Sequence, residues 1–280
     1  MADALGIAFP PLHRELRAPA EFRALMRSDV FARPPRAGIE GQPVMLIPGF
    51  LAPDRSLAHM AGWLRRAGYA PTRAGMSMNS DCSQAESERL EARLARAVEK
   101  SGHPAIVIGH SRGGMFARVL AVRRPSLVAG IVTLGGPFVD PGRYVHPLIG
   151  VQAALIGALG DLRVPKMLSN DCGDPRMFTD GPTNAVTRLV SRRARARMAR
   201  NAGRVTCCSP FWDDFYADFP SDVHFASLFS RSDGVVDWHA MLDPGARPVE
   251  VESSHFGMAA NVSTFRALAR ELPAMAERPG

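Results

Sequence analysis

At 280 residues, 46% hydrophobic and 22% charged, the chain holds enough apolar material for one large α/β domain and lacks the composition of a disordered or fibrous protein. No apolar run is long enough for a membrane span, and the amino terminus shows no basic segment followed by a long apolar one, so a cytoplasmic protein without a secretory signal is expected. The net charge of +7 comes mainly from arginine, and no recognition module accompanies it, so nucleic acid is not expected as a partner.

In chain order, residues 1–43 read as an N-terminal helical extension, with a helix over Ala20–Arg27 and a Pro-Gly-rich run after it. Val44–Phe50 is a buried strand ending in a turn. A helix follows from Asp54 and stops at Gly68, with Leu57, Met60, Ala61 and Leu64 at helical spacing. Tyr69–Met76 is a weaker strand. Ser83–Ser101 is a periodic helix that Ser83 and Glu86 could open with a capping box. Ala105–Gly109 is a β-branched strand, and an apolar-periodic helix follows it. Val128–Leu134 is another strand, broken by Gly135-Gly-Pro137. Strands and helices that alternate at this spacing predict an α/β fold, with a mostly parallel sheet of about six strands and helices on both faces.

Residues 138–221 depart from that rhythm and read as a cap or lid inserted into a core of residues 44–137 and 222–280. The insertion carries an apolar helix, Pro147–Leu162, which is either a lid over a site or a packing helix. An arginine-rich helix, Thr183–Asn201, follows. It offers a weak peripheral contact to anionic lipid, but its arginines spread over more than one face, which favours a plain solvated surface. Phe211, Trp212, Phe215, Tyr216 and Phe219 read as core. Val223–Phe229 and Pro248–Glu252 complete the strands, and a last helix begins near Met258.

The chemistry centres on Gly109-His-Ser-Arg-Gly113. Between a strand and a helix, G-x-S-x-G reads as a nucleophile elbow, a tight turn that lifts the Ser111 hydroxyl above the sheet edge. Serine needs a base, and the base needs an orienting carboxylate. Asp233 and His255 follow in the required order, each on a loop after a predicted strand. Asp233 could instead be an ordinary turn residue, with Asp237 its rival, and His255 could be a core histidine. Backbone N–H groups for an oxyanion would come from Arg112, at the start of the elbow helix, and from Phe50, in the Pro48-Gly49-Phe50 turn. Leu51, His110, Phe138, Val235 and Phe256 flank these positions and are candidates for lining the substrate pocket. Cys82, Cys172, Cys207 and Cys208 contain no C-x-x-C pair and their spacing does not suit zinc, so no metal is expected; one of the adjacent Cys207 and Cys208 could bridge to Cys82 or Cys172, but free thiols in a reducing cytoplasm are favoured.

These motifs, together with Leu46-Ile-Pro-Gly-Phe50, Thr133-Leu-Gly-Gly-Pro137, Ser230-Arg-Ser-Asp-Gly-Val-Val236 and Ser254-His-Phe-Gly257, make the chain resemble an α/β-hydrolase of the lipase and esterase type over residues 44–137 and 223–270. The resemblance implies ester hydrolysis through an acyl-enzyme, with Ser111, Asp233 and His255 as the triad, Phe50 and Arg112 as oxyanion donors, and no cofactor. Its substrate would be a small-molecule ester or lipid-like compound. An acyltransferase, a thioesterase or a silent binding protein would use the same frame. Two positions depart from the family pattern: Pro-Gly replaces the frequent His-Gly of the oxyanion loop, and Arg112 stands where an apolar residue is usual. The two antiparallel strands that often open the fold are also missing.

Overall fold

The structure is a computed structural model that describes residues 10–177 and 206–276. Six strands, β1 (Pro43–Ile47), β2 (Ala70–Arg73), β3 (Ala105–His110), β4 (Val128–Leu134), β5 (His224–Phe229) and β6 (Arg247–Glu250), form one sheet in the order β2-β1-β3-β4-β5-β6. Every pairing is parallel. The strand that leads into Ser111 therefore lies inside the sheet, with β4 between it and the strand that leads to Asp233.

The described helices are α1 (Ala18–Met26), α2 (Asp29–Ala32), α3 (Ala58–Ala67), α4 (Ser83–Ser101), α5 (Arg112–Arg123), α6 (Pro141–Tyr144), α7 (Pro147–Asp161), α8 (Ser209–Tyr216) and α9 (Val262–Ala274). Alternation along the strands decides which face each covers. Val44 and Leu46 of β1, with Ile106 and Ile108 of β3, pack against α1, α3 and α9 through Leu25, Trp63, Leu64, Phe265 and Leu268. Met45, Ile47 and Val107 point the other way, against Leu90 and Leu94 of α4, Phe116 and Leu120 of α5, and Phe211 and Phe215 of α8. The aromatic cluster is thus core, as its spacing suggests.

Local signals account for most element ends. Gly68 (φ 100°) and Gly102 (φ 73°) close α3 and α4 in the left-handed conformation. The Ser83–Glu86 capping box does not form. Cys82 is the N-cap of α4 and makes no side-chain cap. A long-range partner, Arg112, donates to Ser83 Oγ, and a helix neighbour, Arg89, takes the glutamate.

The segment after β4 is joined to the loop after β5. Val145 bridges Val236, and the amides of His146 and Asp237 donate to Val235 and Tyr144. The apolar helix forms as expected, but Gly157 is its one buried residue, and Leu148, Leu155 and Leu159 are 51%, 63% and 40% exposed. It is not a core-packing helix. The arginine-rich segment Thr183–Asn201 lies outside the described residues. Among those described, no helix is long and apolar enough to cross a membrane.

Candidate active site

Ser111 stands between β3 and α5 with φ 52° and ψ −120°, a conformation that costs a non-glycine residue about 1–3 kcal/mol. The flanking glycines make the turn possible by close approach. A Cβ on Gly109 would lie 2.2 Å from the Gly113 carbonyl oxygen, and one on Gly113 would lie 2.2 Å from the Ile47 carbonyl oxygen on β1. The Ser111 amide is held by the Leu134 carbonyl at 2.8 Å, which fixes the turn to the neighbouring strand.

Asp233 and His255 leave the same carboxyl edge of the sheet, after β5 and β6. Asp233 Oδ2 lies 2.7 Å from His255 Nδ1, and both residues are buried, at 2% exposure each. The carboxylate can only accept, so Nδ1 carries the proton and Nε2 faces away as the basic nitrogen. Asp233 Oδ1 accepts from the amides of Val235 and Val236, both at 2.7 Å. Its rival Asp237 is engaged elsewhere: it caps the turn at Trp238–Met241 and pairs with His239 Nδ1 at 2.6 Å. His255 also borders the elbow. A Cβ on Gly135, the residue after β4, would lie 3.1 Å from its Nδ1. Among the described residues no hydrogen bond joins His255 to the Ser111 hydroxyl. Such contacts are often loose without substrate.

Burial pulls the His255 imidazolium down, but the Asp233 charge and hydrogen bond, with help from Glu15, outweigh it and hold the group above the usual histidine value. His110 shows the reverse. Burial and the nearby His255 charge push it down to about 4, so it is neutral near pH 7. Its Nε2 contacts the His255 carbonyl oxygen at 2.9 Å, and the two rings lie 5.1 Å apart.

The Pro48–Leu51 turn presses on the elbow, since a Cβ on Gly49 would lie 3.3 Å from the Ser111 Cβ. Its backbone is spoken for at Leu51, whose amide donates to the Asn79 carbonyl, and at Ala52, which donates to Gly49. The Phe50 amide has no such acceptor among the described residues. The turn is held from below by Asn79 Nδ2, which donates to the Pro48 carbonyl at 2.7 Å.

The candidate pocket residues divide. His110 precedes Ser111 in the elbow, and Leu51 ends the adjoining turn with its amide on the Asn79 carbonyl. Val235 is buried, and its amide serves Asp233. Phe256 is 54% exposed beside the His255 ring. Phe138 packs on Phe215 and Phe225 and is core rather than lining.

A description of the alpha/beta hydrolase fold matches residues 68–257 of the chain. The chain belongs to the α/β-hydrolase fold family. Among solved structures, this α/β-hydrolase is similar to the lipolytic enzymes LipS and LipT, derived from a metagenome, at 16% identity, 86% of this chain, 95% of that chain and a TM-score of 0.52. It is also similar to the mature lipase BlEst2 of Bacillus licheniformis (14% identity, 84% and 92% of the chains, TM-score 0.50) and to a monoacylglycerol lipase of Paleococcus ferrophilus (16%, 84% and 97%, 0.50). At these identities the likeness concerns the fold.

Sequence reasoning missed two residues that support the candidate site, Glu15 and Glu21. Glu15 accepts from the amides of Gly234, His255 and Phe256 at 2.8–2.9 Å. Glu21 accepts from the Ser254 amide and hydroxyl. Arg14 and Arg17 donate to the carbonyls of Arg231 and Ser232. The N-terminal extension therefore clamps the loops that carry Asp233 and His255. Nothing in the local pattern of residues 10–27 signals contacts to positions more than two hundred residues away.

Proposed function

We propose that this α/β-hydrolase is a serine carboxyl-ester hydrolase. One observation carries the reading: a strained, glycine-flanked serine and a buried Asp–His pair stand on one edge of a parallel sheet. In this mechanism His255 Nε2 takes the Ser111 proton as Oγ attacks the acyl carbonyl. Asp233 holds the imidazole through Nδ1–H and stabilises the imidazolium that forms. The Arg112 and Phe50 amides bind the oxyanion, a contribution of about 3–4 kcal/mol per donor in comparable sites. His255 then protonates the leaving alcohol, and water cleaves the acyl-enzyme by the same route. No step needs a cofactor.

A hydrophobic ester is the favoured substrate class. The exposed apolar side of α7 begins beside the Asp233 loop, and the lipases with which the chain shares its fold support the same class. Hydrolysis of p-nitrophenyl esters from acetate to palmitate, by wild type and Ser111→Ala, tests the proposal. Turnover that the substitution abolishes is expected. Turnover that survives it, or transfer of the acyl group to an added amine or thiol in preference to water, would redirect the assignment.

A further inference from the structure

We propose that Cys82, Cys172, Cys207 and Cys208 form a structural zinc site that fastens the insertion to the core. The cysteines come from three separated segments: the N-cap of α4, the short turn Asn170–Cys172, and the residues leading into α8. Spacing along the chain argued against zinc because it shows no paired motif. The fold removes that objection by bringing the three segments to one point.

The geometry is that of a tetrahedral thiolate cage. All four sulfurs lie within 4.8 Å of one another. Cys207 Sγ is 3.8 Å from the sulfurs of Cys82, Cys172 and Cys208, and Cys82 and Cys208 are 3.3 Å apart. With Zn–S bonds of about 2.3 Å, tetrahedral sulfurs stand about 3.8 Å apart. All four are free thiols. Four soft ligands in this arrangement leave no open coordination position, which marks a structural rather than a catalytic ion.

The surroundings suit a dianionic tetrathiolate. Cys82 and Cys208 are the N-caps of α4 and α8, beside the amides that open those helices. Amides at a helix N-terminus favour thiolates. The part-buried Arg112 guanidinium lies within electrostatic reach of Cys208, Cys172 and Cys82. It donates to Asn79 Oδ1, the Asp81 carbonyl and Ser83 Oγ, which fixes the cation beside the cage. The Trp212 indole donates to the Cys172 carbonyl at 2.8 Å and holds that ligand's backbone. The unusual arginine after the nucleophile thereby acquires a reason: it balances charge at the cage while its own amide faces the elbow.

The test uses the full chain, expressed with zinc in the medium and purified without chelator. Elemental analysis should find about one zinc per chain. The four thiols should resist a disulfide reagent in the zinc-loaded protein, and titration with a mercurial should release one zinc for every four equivalents bound as mercaptide. Cobalt exchanged into the protein should show the intense visible bands of a tetrahedral tetrathiolate, and Cys207→Ser should weaken them and lower zinc retention. Three results on unsubstituted, folded protein would overturn the proposal: no bound metal with four freely reactive thiols, stoichiometric iron in place of zinc, or disulfides among these cysteines by mass analysis. Because the decisive readings use the unsubstituted chain, a variant that fails to fold does not obscure them.

Discussion

At the scale of single residues, His255 sits under opposed pressures. Burial favours the neutral ring, while Asp233 and Glu15 favour the cation and prevail. The base form is lost as pH falls through a value above 6.5, so kcat/KM should fall on the acid side with its midpoint above that value. Stability carries the opposite sign. A raised histidine contributes fully below its unfolded value and loses that contribution as pH rises through the folded one. Glu15→Gln should move the kinetic midpoint down while keeping most of the loop contacts, and a pH–rate profile of the two proteins checks this. Asp233→Asn should lower kcat by about 10³–10⁴-fold, because the ring loses both its orienting acceptor and its countercharge.

At the scale of elements, the elbow and its supports are held by close packing and by buried ions. Gly113→Ala would drive a Cβ to within 2.2 Å of the Ile47 carbonyl oxygen. The crowding should destabilise the protein by about 1–3 kcal/mol in urea unfolding and displace Ser111, with a matching loss of turnover. Arg118, on the elbow helix, pairs with Asp243 at 2.6 Å and donates to the carbonyls of Phe215 and Ala217, and both partners of the ion pair are buried. Arg118→Met would strand the Asp243 charge and should cost about 3–5 kcal/mol, read as a lower urea midpoint. The exposed apolar helix α7 tests the proposed hydrophobic substrate class. Leu155→Asp alters a residue that is 63% exposed, so stability should stay within about 0.5 kcal/mol. Hydrolysis of the longest esters should fall several-fold relative to acetate.

At the scale of the whole molecule, what could be read from the chain alone follows the range of the interaction. The strand, turn and helix around Ser111 are legible because contiguous residues determine them. So is the order Ser111, Asp233, His255, because each follows a strand of the same sheet and parallel strands end at one edge. Loop position separates Asp233 from Asp237 in the sequence, and in the structure it is Asp233 that lies 2.7 Å from His255. The capping box at Ser83 failed because Arg112, 29 residues on, takes the hydroxyl. Glu15, Glu21 and the cysteine quartet were invisible for the same reason at longer range: their partners are neighbours only after the sheet has closed. The N-terminal extension shows the consequence. Its two carboxylates hold the acid and base loops from outside the sheet, each through charge-assisted bonds of about 1.5–3 kcal/mol. Glu15→Ala with Glu21→Ala should therefore reduce kcat by at least tenfold while substrate affinity changes little, as steady-state kinetics would show.

The reading of this site stands or falls with the nucleophile. Incubation of the folded protein with a fluorophosphonate, followed by peptide mapping, should place a single stoichiometric adduct on Ser111 and none on Ser111→Ala. An adduct mapped to another residue, or no adduct on protein whose fold is intact, would contradict it.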